Sequence, residues 1–217
     1  MADKTKWLPG DRVTLVEPGT PWNGREGVLE RRSFQYFQTG RWPVTLTKPL
    51  GEGGTGPRQL AVAETALVKA DAPPPITSFR GDHRFLSNFF SAPVEYEGAL
   101  YPTVEHAYQA AKTDDMKMRE WIRTASSPAE AKHRGQNLTL RPGWNDMRLS
   151  VMEALLKQKF TRHADLSRKL IATHPCELRE GNTWGDTFWG TTKGKGDNHL
   201  GKLLMAIRTD ILSGNAL

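Results

Sequence analysis

The spacing of hydrophobic and polar residues changes character part-way along this chain, and the change divides it in two. Near the N-terminus the runs are short and alternate, with Val13 and Leu15 on one face of a strand that follows the Trp7-Leu8-Pro9-Gly10 turn. Trp22-Asn23-Gly24 is turn chemistry, and Gly27 to Glu30 restarts an extended segment. Gln35 to Thr47 holds two more strands, Arg41 to Leu46 the clearer, and the glycine-rich Lys48 to Arg58 reads as a loop. Gln59 to Val68 closes the segment with Leu60, Val62 and Leu67 as core positions. Ala70-Asp71-Ala72-Pro73-Pro74-Pro75 is then a linker, because consecutive prolines favour extended PPII geometry over packed sheet or helix. The expected division is 1–70, a linker at 71–76, and a second domain over 77–213.

Beyond the linker, Ile76 to Gly81 reads as a short strand, and Val94 to Tyr101 alternates around Gly98 as a β-hairpin. The period then becomes helical. Tyr101-Pro102 ends the extended run, since the residue before proline is pushed out of the helical region, and Thr103 caps a helix running to Lys112. Met118, Trp121, Ile122 and Ala125 predict a helix within 114–125, and Ser127-Pro128-Ala129-Glu130 is a capping box. Arg141-Pro142-Gly143 interrupts the chain before a long helix over 146–160, whose buried stripe is Met147, Val151, Leu155 and Leu156. A short helix over 166–173 and a strand over 176–180, which could pair with the hairpin, precede a last helix opened by Asn198. The predicted class is α+β: a mainly helical domain with a small hairpin sheet, preceded by a small all-β domain.

One helix carries candidate chemistry. Glu105 shares a face with Tyr108, Gln109 and Lys112, so a carboxylate, a phenol, an amide and an amine lie along one stripe flanked by Val104, Ala107, Ala110 and Ala111. Small flanks allow close packing with the stripe on a cleft; the same pattern also fits a solvated face whose first-turn Glu complements the helix dipole. A second candidate is the glycine-rich run from Trp184 to Gly201, since glycines before a helix free its first N–H groups for an anion. It is neither a Walker loop nor a Rossmann turn. Trp184 and Trp189 sit among these glycines, a setting suited to presenting an indole to a flat ring.

Composition narrows the classes. The 217 residues include 7 Trp, 8 Phe and 37% hydrophobic residues, enough for a core, and a single cysteine, Cys176, which excludes an internal disulfide. The six histidines do not fall at ligand spacing with carboxylates, so no metal and no cofactor is expected. No apolar run is long enough to cross a bilayer and no presequence pattern is present, giving the expectation of a cytoplasmic protein without a membrane partner. The formal charge of +6 is spread without a basic block, which suits an anionic small molecule and permits nucleic acid without indicating it.

Several ordered blocks carry a resemblance. Phe79-Arg80-Gly81, Phe85-Leu86-Ser87-Asn88-Phe89, the stretch Tyr101 to Lys112, the Arg141 to Trp144 turn, Asp186-Thr187-Phe188-Trp189-Gly190 and Gly196 to Met205 together resemble the YbiA/NADAR family over residues 77–213. The resemblance implies cleavage of N-glycosidic bonds, either in phosphorylated ribosylamino-pyrimidines of early riboflavin synthesis or in ADP-ribose joined to guanine bases. A non-catalytic pocket for ADP-ribose or NAD is the alternative it leaves open. Carried over by motif, Glu105 is the acidic residue at the anomeric carbon, Asp186 orients water or a ribose hydroxyl, and Trp144 and Trp189 hold the base. Phe79, Arg80, Ser87, Asn88, Gln109, Lys112, Gly190, Asn198 and Gly201 match substrate-binding positions, with Arg80, Lys112 and the helix start at Asn198 assigned to phosphate. Thr191-Thr192-Lys193 departs from the glycine-rich spacing that follows Trp-Gly in the family. Residues 6–70 resemble small SH3-like barrels of the KOW type, in which Trp22, Arg25, Arg31, Arg32, Phe34, Tyr36, Arg41 and Trp42 form either a base-stacking surface for nucleic acid or simply core and solubilising residues.

Overall fold

The computed structural model describes residues 7–31, 38–50, 57–70 and 73–214. The described residues form two compact units: those up to 74 with 173–177 and 212–214, and residues 75–172 with 178–211.

In the first unit, β1 (Arg12–Leu15), β2 (Glu26–Leu29), β3 (Arg41–Leu46), β4 (Gln59–Ala63) and β5 (Leu67–Lys69) form one antiparallel sheet in the order β4-β3-β2-β1-β5. Period-2 alternation puts Val13, Leu15, Leu29, Trp42, Val44, Leu46 and Val62 on the buried side. Pro43 interrupts no face, because its neighbours Trp42 and Val44 both point inward. Trp42 is fully buried, so it belongs to the core and not to a base-stacking surface, whereas Arg25, Arg31 and Arg41 are exposed. Arg32, Phe34, Tyr36, residues 51–56 and Asp71-Ala72 lie outside the described residues. Among the described residues β4 and β5 are joined by a 3-10 turn, Glu64–Ala66, and do not pair with each other.

The second unit is built around one buried helix. A 3-10 segment, Gly81–Leu86, precedes the hairpin of β6 (Val94–Tyr96) and β7 (Ala99–Tyr101), paired Val94 to Tyr101. Its two turn residues, Glu97 at φ 44° and Gly98 at φ 80°, adopt the left-handed geometry that matches strand twist in tight hairpins. The hairpin feeds α1 (Val104–Ala110), capped by Thr103, whose hydroxyl accepts from His106 N–H. All seven residues of α1 are buried, so no face of it meets open water and the solvated-face reading of Glu105 falls. Its alanines let α2 (Met116–Arg123), α3 (Pro128–Arg134) and α4 (Trp144–Arg162) approach closely. His106 is satisfied inside this packing, 2.8 Å from Thr103 Oγ1 and 3.3 Å from Ala125 O, and burial lowers its pKa; it is a structural histidine.

α4 begins at Trp144, two residues earlier than the pattern suggests, because Gly143 takes φ 72° and turns the chain directly into the helix. After α5 (Ala164–Ala172) the chain departs from expectation. The strand is not 176–180 but β8 (Gly181–Asn182), and it pairs in parallel with β9 (Thr191–Thr192) rather than with the hairpin. Backbone accounting gives the reason. Arg179 N donates to Ile76 O, Leu178 O accepts from Asn198 Nδ2, and Glu180 N donates to Asn198 Oδ1, so these groups are spent on partners other than the hairpin. The last helix is α6 (His199–Leu212).

Lys159 of α4 is fully buried, with Nζ 2.8 Å from Ser87 O and over the rings of Phe90 and Phe160. Burial pushes its pKa down to about 7. Because the unfolded chain holds this proton up to a higher pH, folding stability rises with pH from about 7 towards the ordinary lysine range. The melting temperature is therefore expected to climb over that window, and Lys159→Met to flatten the climb; equal slopes in both proteins would contradict this.

Candidate active site

A cavity of about 1000 Å³ opens within the second unit, between α1, α3, the start of α4 and the loop joining β8 to β9. Ten of the thirteen expected site residues line it: Glu105, Asp186, Trp144, Trp189, Phe79, Arg80, Ser87, Asn88, Gln109 and Lys112. Residues some 110 positions apart in the chain thus converge on one space.

Glu105 sits on the wall contributed by α1. Its Oε1 accepts from Gln109 Nε2 at 2.7 Å, one helical turn on, and its backbone N–H donates to Asn88 O. Burial raises its pKa, while the Gln109 hydrogen bond and the Lys132 and Lys112 charges pull it back and Asp186 adds to the rise. Lys112 is pushed down by burial and partly restored by Glu105, with Nζ reaching Gly135 O. The site therefore holds a carboxylate in a dry wall with two cations in electrostatic reach, where field effects are far stronger than in water.

The aromatic wall differs from a pair of indoles facing across a gap. Tyr108 touches both, with ring centroids 5.2 Å from Trp144 and 5.4 Å from Trp189. Trp144 is only 5% exposed and packs into the main core, so it shows the cavity little more than an edge. Trp189 is less buried and stands edge-on to both Tyr108 and Phe188. Arg148 lies 3.6 Å from the Phe188 ring centre, and Lys132 lies over the half-exposed Trp184.

Asp186 serves the loop as well as the cavity. Its Oδ1 accepts from Phe188 N–H and Trp189 N–H, an Asx turn that fixes Trp189, while Asn182 holds Asp186's own backbone.

Gly190, Asn198 and Gly201 do not line the cavity. Both amide atoms of Asn198 are engaged by the backbone of Leu178 and Glu180. At the helix start, the Asn198, His199 and Leu200 N–H groups donate to the Gly190, Phe188 and Trp189 carbonyls. Gly190 and Gly201 are spacing residues, since a Cβ would lie 2.3 Å from Glu180 O and 2.1 Å from Leu178 O respectively. The phosphate role expected of this helix start therefore gains no support from its geometry. Arg141 is likewise away from the cavity, bonded to Tyr96 and Glu97 and paired with Asp114.

Tyr108 lines the cavity beside Glu105, on the face the helix spacing predicts. Among the lining residues that the sequence did not single out are Lys132, Arg148 and Glu180, which arrive from separate elements with no local pattern. Buried polar atoms of Asn88, Gln109, Arg148 and Glu180 lack hydrogen-bond partners among the described residues, and all four residues line this one cavity. Such atoms are rare in protein interiors and concentrate where a ligand's polar groups fit. Among the described residues no group of His, Cys, Asp and Glu is placed to hold a metal, and no helix is long and apolar enough to cross a membrane.

The NADAR domain model matches residues 77–212, more than half of the chain and the whole of the stretch that builds this cavity. The chain belongs to the NADAR domain family. Within it, N-glycosidase YbiA of Shigella boydii is 42% identical over 133 residues, 60% of this chain and 82% of that protein. A riboflavin biosynthesis protein of Vibrio vulnificus is 35% identical over 133 residues, which are 36% of its own length. The NMR structure of Escherichia coli YbiA superposes with a TM-score of 0.60 at 38% identity, covering 68% of this chain and 89% of that one. The N-terminal sheet lies outside the NADAR match.

Proposed function

We propose that this chain is an N-glycosidase that hydrolyses the C–N bond between ribose and a heterocyclic or amino-pyrimidine base. The observation that carries the reading is Glu105: a buried carboxylate held by Gln109, neighboured by Lys112 and Lys132, on the wall of an aromatic-lined cavity. Breaking a ribosyl C–N bond builds positive charge on the sugar, and a pre-placed carboxylate stabilises it. The base enters against Trp189 and Tyr108, with Trp144 backing the phenol; Asp186 positions Trp189 through its loop. Arg80 and Lys112 take the phosphate. Relatives named N-glycosidase and riboflavin biosynthesis protein support a phosphorylated ribosylamino-pyrimidine as substrate.

A second reading has its own support. The cavity, about 1000 Å³, is at the upper end of small-molecule pockets, and Trp184 and Leu140 at its wall are about half exposed. That room accommodates ADP-ribose joined to guanine. For the N-terminal unit, the strand order and the 3-10 turn before β5 support a small SH3-like barrel, which in this reading brings nucleic acid to the enzyme.

A panel of ribosylamino-pyrimidine phosphates and ADP-ribosylated guanine oligonucleotides, assayed by chromatography for released base, separates the readings. Release from the first class alone supports the small substrate, release from the oligonucleotide the second, and tight binding with no base released defeats both. Trp189→Ala is expected to weaken substrate binding by about 2 kcal/mol, the scale of one base–aromatic contact, and Trp189→Phe to recover much of it. Titration calorimetry reads this; equal affinities for all three proteins would remove Trp189 from the base site.

A further inference from the structure

We propose that Glu180 is the general acid of this cavity, giving its carboxyl proton to the departing base. The inference rests on the N-glycosidase reading and supplies the proton donor which that reading lacks. When the C–N bond breaks, its electron pair stays on nitrogen and must be neutralised there. Glu105, placed to face the sugar as a carboxylate, cannot also be the donor.

Three carboxyl groups line the cavity, and their bonding separates them. Glu105 accepts from Gln109, and Asp186 accepts from two backbone N–H groups. Glu180 Oε2 is buried and meets no hydrogen-bond partner among the described residues. Its backbone, in contrast, is fixed on both sides: the N–H donates to Asn198 Oδ1 at 3.0 Å and the carbonyl accepts from Thr191 N–H at 2.7 Å. Gly190 completes the mount, since a Cβ there would sit 2.3 Å from Glu180 O and 3.1 Å from its Cγ. A carboxyl on a rigidly seated backbone at the cavity wall, one of its oxygens buried and unengaged among the described residues, is the arrangement a proton donor needs.

The surroundings favour the protonated form. Burial is the largest influence, and Asp186 from the loop after β8 adds to it, while Arg80 before the 3-10 segment and Lys132 from α3 oppose. The balance pushes the carboxyl up to about 7. A donor titrating near neutrality is well matched to transfer a proton under working conditions.

In the step itself, the ribose C1–N bond breaks with its electrons going to nitrogen. The Glu180 O–H bond breaks, its proton moves to that nitrogen, and its electrons remain on the carboxylate. Water bonds to C1 and loses a proton to Glu105, and exchange with solvent returns that proton to Glu180. The net change is one water consumed, with sugar hydroxyl and free base formed.

The test is the pH dependence of kcat and kcat/KM on an N-riboside that the wild type cleaves. The wild type is expected to lose activity as pH rises through about 7, because the donor form disappears. Glu180→Gln should lower kcat by at least about 100-fold, leave KM within a few-fold and abolish that alkaline limb. Substrates whose bases carry electron-withdrawing groups, and so need less protonation, should lose less. Glu180→Asp should restore part of the rate together with an alkaline limb. A Gln variant that keeps wild-type kcat and its alkaline limb overturns the inference, as does a loss equal for all leaving groups. Should the Gln variant fail to fold, Glu180→Asp decides: a shifted limb supports the acid role and an unshifted one overturns it. A wild type that releases no base from any N-riboside defeats the N-glycosidase reading instead, so the two failures are distinct.

Discussion

Glu105→Gln is expected to lower kcat by about 10²–10³-fold, the usual cost of removing one pre-placed electrostatic group from a dry site. KM should change little, because Gln fills the same volume and the ground-state sugar carries no developing charge. Folding should not suffer. Burial raises the Glu105 pKa above that of the unfolded chain, so its contribution to stability is full at acid pH and is lost as pH rises through the folded value. Replacing it by a neutral amide removes that loss, so the variant should melt at or above the wild-type temperature at neutral pH. The same linkage gives a rate prediction: an ionised Glu105 is required, so activity climbs with pH on the acid side of the profile. Steady-state kinetics beside a thermal melt reads all three outcomes. A variant with wild-type kcat would remove Glu105 from the chemistry, and one that is inactive but unfolded would show a structural role.

Gly201→Ala should act through the fold. A Cβ there would lie 2.1 Å from Leu178 O and within 2.7 Å of both amide atoms of Asn198, so the obstacle is backbone and a side chain bonded at both ends. Helix α6 must move off the segment leading to Glu180, or Asn198 must release it. Either route is expected to cost about 3 kcal/mol or more, above ordinary overpacking because no flexible side-chain end can yield. For a protein of this length that corresponds to a fall in melting temperature of roughly 6–12 °C. Circular dichroism would show it, and a wild-type melt would mean that the close approach is not maintained in solution.

What was legible beforehand follows the range of the interactions. Thr103 and Ser127 announce their helices because a cap acts within four residues, and both hydroxyls accept the expected backbone N–H. Val13, Leu15, Trp42 and Val44 announce the N-terminal sheet because alternation is local. The polar stripe of α1 was visible, but its burial on every side was not, since that depends on how α2, α3 and α4 pack around it. The strand at 181–182 was misplaced for a similar reason: Asn198 captures the backbone of Leu178 and Glu180, and nothing near 178 in the chain signals it. Family motifs supplied most of the cavity wall, yet they did not distinguish residues that face the cavity from those that hold it up. Gly190, Asn198 and Gly201 belong to the second kind. Tyr108 was legible on the Glu105 face, but its place between the two indoles depends on packing between elements far apart in the chain.

Single-turnover analysis of a phosphorylated N-riboside, with enzyme in excess and both products quantified after acid quench, addresses the central claim most directly. The account predicts one free base and one ribose phosphate per substrate consumed by the wild type, and bound but intact substrate with Glu105→Gln on the same time scale. Substrate that the wild type binds and returns uncleaved, or cleavage at equal rates by both proteins, would contradict it.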